Sequence, residues 1–144
     1  MKNSLSTIKL QEIAEKKIIL RVDFNVPVKE GKVQDDYKLE RALPTINFLL
    51  KNKCNIVLLS HFGRPEGKRV KAFSLKPVFK DLKIKLKGEK IRFIDQKIDQ
   101  KLIKKVDDSF KKFDIVMLEN IRYEKGEDTN NPRFAKTLSK LGDV

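Results

Sequence analysis

The sequence predicts an α/β fold with three layers, α/β/α, around a mostly parallel sheet. Two observations predict it. Short runs rich in Ile, Val and Leu alternate along the chain with segments of helical periodicity, and no repeat, linker or low-complexity tract interrupts them. The apolar runs are continuous rather than alternating, as in strands buried on both faces. Candidate strands are Lys17–Phe24 (KIILRVDF), Asn55–Ser60 (NIVLLS), Ile91–Ile94 (IRFI) and Asp114–Leu118 (DIVML). Candidate helices are Tyr37–Lys53, Ser74–Lys87, Asp99–Lys112 and Pro132–Leu141. The last has Asn131 as its N-cap, Pro132 at the first helical position and Gly142 just past its end. Pro44 is expected to kink the first helix or break its hydrogen-bond ladder. Strand–helix alternation of this kind implies right-handed crossovers with helices on both faces of the sheet.

The chain has 144 residues, a length that fits one domain with a closed core. A hydrophobic fraction of 40% with 37% charged residues is a globular composition, not a disordered one. No apolar run approaches the roughly 20 residues of a membrane span. The amino-terminal MKNSLSTIKLQEIAEKK lacks the apolar core of a signal peptide. The single cysteine, Cys54, excludes an intrachain disulfide and a Cys-rich zinc site. A cytoplasmic location is expected, with no membrane partner.

The net charge is +13 and unevenly spread. Residues 68–112 hold 16 Lys or Arg against 6 Asp or Glu, a net of 16 − 6 = +10, which leaves +3 for the rest. Such a segment suits a basic polyanion or nucleic-acid binding module. Its pattern argues for a plainer reading. Leu75, Val78, Phe79, Leu82 and Leu86 recur at helical spacing with lysines between them, the signature of an amphipathic helix with a solvated face. The cations are 26 Lys and 7 Arg, mostly point charges rather than planar forks.

In an open α/β sheet, ligands bind outside the carboxyl ends of the strands. After the first strand comes Asp23-Phe24-Asn25-Val26-Pro27, after the second Ser60-His61-Phe62-Gly63-Arg64-Pro65, and after the fourth Glu119-Asn120-Ile121-Arg122-Tyr123. The topology alone brings an Asp, an Asn, the only His and two arginines to one edge. Arg matches carboxylate and phosphate oxygens bidentately. Asn25 both donates and accepts, Asp23 accepts from a hydroxyl, Gly63 admits close backbone approach and His61 donates to an anion. Together they suit a small phosphorylated, hydroxylated acid. Taken singly, Asp23 and Asn25 are turn formers, His61 a structural hydrogen-bonding residue, and Arg64 and Arg122 members of surface ion pairs. Their joint occurrence after strand ends favours a site. No GxxxxGK[ST] or GxGxxG loop and no metal-ligand cluster is present, and a Ser-His-Asp triad has no spacing support.

Three blocks, RVDFNVPVKEGKVQDDYKLERALPTI at 21–46, LLSHFGRPEGK at 58–68 and LENIRYEKGEDTNNPRFAKTLSKLGDV at 118–144, closely resemble the phosphoglycerate kinase family, in its order and spacing over essentially the whole chain. The resemblance implies a Rossmann-like amino-terminal domain, the phosphoglycerate-binding half of a two-domain enzyme. That enzyme transfers a phosphoryl group reversibly between 1,3-bisphosphoglycerate and ADP, giving 3-phosphoglycerate and ATP. It implies a monomer, with Mg-ADP or Mg-ATP bound by a carboxyl-terminal domain beyond these residues and no cofactor or metal on this chain alone. After Gly142, Asp143-Val144 reads as the start of another strand rather than a polar tail, so the expectation for residues 1–144 is a domain truncated before its end and inactive by itself.

Carried over by the resemblance, Asp23 and Asn25 contact the glycerate end, and His61, Arg64 and Arg122 form the basic patch around the 3-phosphate. Phe24, Phe62 and Gly63 fall within the same substrate-binding blocks, and Arg21 lies beside them in the basic field. One position departs. The family has an Arg near the reacting carboxyl or acyl phosphate where this chain has Lys38. Lys38 keeps the charge that stabilises the transferring group but loses the bidentate geometry. Arg41, about one helical turn on, offers a guanidinium on the same face.

Overall fold

The structure is a computed structural model that describes residues 9–144. The first eight residues of the segment read for a leader lie outside the described residues. The elements run α1 (Leu10–Ile13), β1 (Lys17–Arg21), β2 (Val28–Lys29), β3 (Lys32–Val33), α2 (Tyr37–Lys51), β4 (Asn55–Leu59), α3 (Lys76–Lys85), β5 (Ile91–Ile94), α4 (Gln100–Ser109), β6 (Ile115–Leu118), α5 (Lys125–Asp128) and α6 (Pro132–Ser139). Short 3-10 turns at Lys71–Phe73 and Ile121–Tyr123 lead out of β4 and β6.

Four strands make one all-parallel sheet in the order β1-β4-β6-β5, and β2 with β3 makes a small antiparallel hairpin. The sheet is buried on both faces, as its continuous apolar runs imply. Side chains alternate along each strand. Ile56 and Leu58 of β4 and Ile115 and Met117 of β6 face one core with Leu39, Ile46 and Leu49 of α2 and Val78 and Leu82 of α3. Val57, Leu59, Val116 and Leu118 face the other core with Leu102, Ile103 and Val106 of α4 and the flank of α6. The three expected layers are present.

This layering fixes where a ligand can enter. The chain leaves β1 and β4 for helices on one face, and leaves β5 and β6 for helices on the other. In the order β1-β4-β6-β5 the change of face falls between the carboxyl ends of β4 and β6. Chains that diverge to opposite faces leave a crevice there.

The structure refines several sequence expectations. The helices are shorter than their apolar patterns, at the ends most of all. The first strand stops at Arg21, not Phe24, because beyond Val22, whose N still donates to Leu59 O at 2.9 Å, side chains take backbone donors. Asp23 Oδ1 accepts from Asn25 N at 3.0 Å, and Ser60 Oγ accepts from Phe24 N at 2.9 Å. The helix α2 runs through Pro44, so the proline does not end it. Pro44 sits on the exposed side, where the carbonyl of Glu40, deprived of its N–H partner, meets water. Asn131 caps α6 as expected, its Oδ1 accepting from Arg133 N and Phe134 N. Gly142 has a different role from the one expected. It is not left-handed. A Cβ there would stand 2.6 Å from Ile19 Cγ1 and 3.0 Å from Lys17 O, so glycine lets the chain pass against β1. Beyond it Asp143 N donates to Lys17 O at 2.7 Å and Ile19 N donates to Val144 O at 2.8 Å, which extends the sheet past β1.

Candidate functional site

The crevice between β4 and β6 holds most of the residues that the sequence singles out. They are tied to one another through Gly63. Gly63 N donates to Asn25 Oδ1 at 3.1 Å, and Gly63 O accepts from Arg122 Nη1 at 3.1 Å. Three strand ends therefore meet at one residue. Gly63 has a φ of +59°, and a Cβ would lie 2.3 Å from the Phe73 ring, so the position admits only glycine without rearrangement.

Asn120, immediately after β6, is the second organiser. It is 1% exposed and uses both ends of its amide. Oδ1 accepts from Phe62 N and Arg122 N, each at 3.1 Å, and Nδ2 donates to Phe62 O at 2.6 Å and Phe73 O at 2.9 Å. Its neighbour Glu119 is buried too, accepting from Ser74 Oγ at 2.6 Å, Leu75 N at 2.7 Å and Asn120 N at 2.8 Å. That carboxylate sits at the start of α3, where orphan N–H groups and the helix dipole favour negative charge. The loops after β4 and β6 are thus held by buried polar side chains with full sets of partners.

Lys38 projects from the first turn of α2 toward the end of β1. Its Nζ donates to Asp23 Oδ2 at 2.8 Å and to Asn25 O at 3.1 Å. Burial on its own would raise the Asp23 pKa, but the hydrogen bonds from Lys38 and from Asn25 N, with the charges of Lys38 and His61, outweigh it and hold the carboxyl below its ordinary value. Arg41 lines the same side, and Asp23, Lys38 and Arg41 border a cavity of about 340 Å³ with Tyr37. A second cavity, of about 210 Å³, is bordered by Arg64, Glu66, Arg122 and Asp128.

His61 is half-buried beside Arg122. Burial lowers its pKa and Arg122 lowers it further, while Asp23 pulls the other way without prevailing. In the empty site at neutral pH His61 is therefore a neutral hydrogen-bonding group. Phe24 is fully buried in the first core and Phe62 half-buried against it, so their side chains support the loops rather than line the crevice. Arg21 is exposed and engaged, its Nη2 donating to Glu127 Oε1 at 2.7 Å.

Glu66, Glu127 and Asp128 are the residues that sequence reasoning missed. Glu127 Oε2 is 3.7 Å and Asp128 Oδ1 3.9 Å from Arg122 Nε. The only available signal is the acidic pair in EKGED, which shows nothing of its partners. Among the described residues no group of three or more His, Cys, Asp or Glu is placed to hold a metal ion, and no helix is long and apolar enough to cross a membrane. Chemically the crevice can bind an anion, orient a hydroxyl or carboxylate near Asp23 and Asn25, and place the Lys38 ammonium beside it.

Comparison with known proteins agrees with this geometry. The family model for phosphoglycerate kinase matches residues 8–144. The phosphoglycerate kinase of Thermosipho africanus is 42% identical over 138 residues, 96% of this chain and 34% of that protein. That of Borrelia garinii subsp. bavariensis is 42% identical over 142 residues, 98% of this chain and 36% of that protein. The structure of phosphoglycerate kinase from Coxiella burnetii superposes with a TM-score of 0.77 at 34% identity, over 96% of this chain and 33% of that one. The Pyrococcus horikoshii enzyme shares the fold, with a TM-score of 0.73 over 90% of this chain and 33% of that one at 24% identity. The chain spans about a third of the length of these relatives. With its parallel sheet, its crevice between β4 and β6 and a match that runs from residue 8 to residue 144, the chain belongs to the phosphoglycerate kinase family.

Proposed function

We propose that residues 1–144 form the phosphoglycerate-binding part of a phosphoglycerate kinase, which moves a phosphoryl group reversibly between 1,3-bisphosphoglycerate and ADP. The observation that carries this reading is the meeting of Asn25, Gly63 and Arg122 at the switch point of the sheet, with Arg64 and His61 beside them. Arg64 and Arg122 hold the 3-phosphate, with His61 donating an N–H. Asp23 and Asn25 orient the glycerate end. Lys38 lies toward the carboxyl group that reacts.

The chemistry asked of these residues is positioning and electrostatics. A carboxylate is ionised at neutral pH and needs no general base. Lys38 is already held by Asp23 and the Asn25 carbonyl, so its charge is in place before substrate arrives. When bound, Mg-nucleotide supplies the phosphoryl group, and its site is assigned to the two thirds of the family's length outside this chain. The protein acts on small molecules as a monomer in the cytoplasm.

The test is a chimera in which these 144 residues replace the matching third of the Thermosipho africanus enzyme. Turnover is expected to saturate with 3-phosphoglycerate, and Arg64→Ala to raise its KM at least about tenfold, the loss of one charge-assisted contact. A KM indifferent to Arg64→Ala would remove the pocket from the proposal. Nucleic-acid binding through residues 68–112 would instead appear as affinity that falls steeply with salt.

A further inference from the structure

Among the described residues, three carboxylates stand with three guanidinium groups around the anion pocket. Arg21, Arg64 and Arg122 contribute three positive charges, and Glu66, Glu127 and Asp128 three negative ones. The three acids are not equivalent. Glu127 lies behind the arginines, its side chain 13% exposed and its Oε1 2.7 Å from Arg21 Nη2. Glu66 and Asp128 lie in front, on the wall of the 210 Å³ cavity with Arg64 and Arg122.

The front pair is loosely held. Asp128 Oδ1 stands 3.9 Å from Arg122 Nε, outside hydrogen-bond range, and its side chain is 45% exposed. Glu66 forms no ion pair among the described residues. Arg122 Nε is buried with no hydrogen-bond partner, so Arg122 has charge neutralised nearby and a donor left over. A carboxylate bound permanently to a guanidinium takes up such donors at about 2.7–2.9 Å. Glu127 does this for Arg21; Glu66 and Asp128 do not do it for Arg64 or Arg122.

We propose that Glu66 and Asp128 are a built-in counter-ion for the phosphate pocket, which a phosphate monoester displaces when it enters. The proposal rests on the reading of this crevice as the phosphoglycerate site. In the empty protein the two carboxylates, together with Glu127 Oε2 at 3.7 Å from Arg122 Nε, balance Arg64 and Arg122. A phosphate dianion approaching arginines so balanced gains less from long-range attraction, and gains most when its oxygens reach the arginine N–H groups directly. The two carboxylates thereby set both affinity and selectivity, and an anion that cannot fill the contacts does not exchange with them. Glu127, short-bonded and buried, stays with Arg21 throughout and acts as its positioning residue.

The same chimera tests this with Glu66→Gln, Asp128→Asn and the double variant. Each single change is expected to lower the KM for 3-phosphoglycerate about threefold and the pair about tenfold, from removal of one and two screened like charges. Inorganic phosphate, as a competitor of 3-phosphoglycerate, is expected to inhibit the double variant at about a tenfold lower concentration than the parent. The direction separates this from structural damage, which raises KM, whereas loss of a carboxylate that opposes the anion lowers it. An unchanged or raised KM in both single variants overturns the counter-ion role. Arg64→Ala separates the two levels. If it raises KM while the acid variants do not lower it, the counter-ion fails alone; if it too is silent, the phosphate site itself is misplaced.

Discussion

The crevice between β4 and β6 and the lysine-rich stretch from residue 68 to 112 make opposite uses of charge. The stretch holds 16 cations and a net of +10. Most of its lysines lie exposed on α3, on α4 and in the loops around them, with apolar stems over the core and ammonium groups in water. Those that are paired, such as Lys85 with Asp36 at 2.5 Å and Glu40 at 2.7 Å, pin the start of α2 to α3. The crevice has three arginines with carboxylates among them, and each guanidinium there is set by topology against a specific acceptor or cavity wall. Counting charge finds the exterior. Following the strand ends finds the site.

Breaking each region in turn sharpens that contrast. The largest effect is expected from Asn120→Ala, which strands two backbone N–H groups and two carbonyls in a buried place. It should cost about 3 kcal/mol in urea denaturation and weaken 3-phosphoglycerate binding as well, because the Gly63 and Arg122 loops lose their common anchor. Leu102→Ala, in the core beneath α4, should cost a similar amount, about 3 kcal/mol, by cavity formation, with the KM of the chimera unchanged. Equal instability with unequal function would show that the crevice, not general stability, governs binding.

Within the site, Lys38→Arg restores a planar fork beside Asp23 and is expected to raise turnover about fivefold, a gain of roughly 1 kcal/mol, while Arg41→Ala changes it less than about twofold. If neither variant moves turnover, Lys38 does not serve the reacting group.

A gentler probe is His61, the one histidine, whose imidazole proton resonances follow its titration in this chain directly. Its folded pKa lies below 6.5, so the unfolded chain binds the proton first on acidification. The stability that its neutral form contributes is intact above the unfolded value and falls as pH drops through and below 6.5. A bound phosphate should push that titration upward; a midpoint indifferent to 3-phosphoglycerate would place the ring outside the anion's field. The smallest effect is expected from Lys80→Gln, Lys83→Gln and Lys87→Gln together on the exterior, which should leave KM within about 1.5-fold by the weakness of screened surface charge.

What could be read from the sequence follows from how far each feature reaches along the chain. The strands and the faces of α3 and α4 are periodic patterns a few residues long, and they were legible because burial repeats at the period of the element. The strand ends that carry Asp23, His61, Gly63 and Arg122 were legible because parallel topology sends them to one edge. Other features depend on meetings across long stretches of chain. Glu127 finds Arg21 106 residues away, and Asn120 finds Phe62 58 residues away. Neither pairing leaves a local trace. The β2–β3 hairpin was hidden for a different reason, being two residues per strand and too short to show alternation. Gly142 looked like a helix stop because it follows a helix, whereas its constraint comes from the backbone of β1.

Gly63 couples the three strand ends in a way that kinetics can read. Its amide hydrogen is bound to a side chain on the β1 loop, and its carbonyl to a side chain on the loop after β6. That hydrogen can exchange with solvent only when the clasp opens, so its exchange rate reports the breathing of the crevice rather than of one loop. A ligand that touches any of the three loops should slow the exchange of this single amide, and a protein whose loops moved independently would show no such slowing.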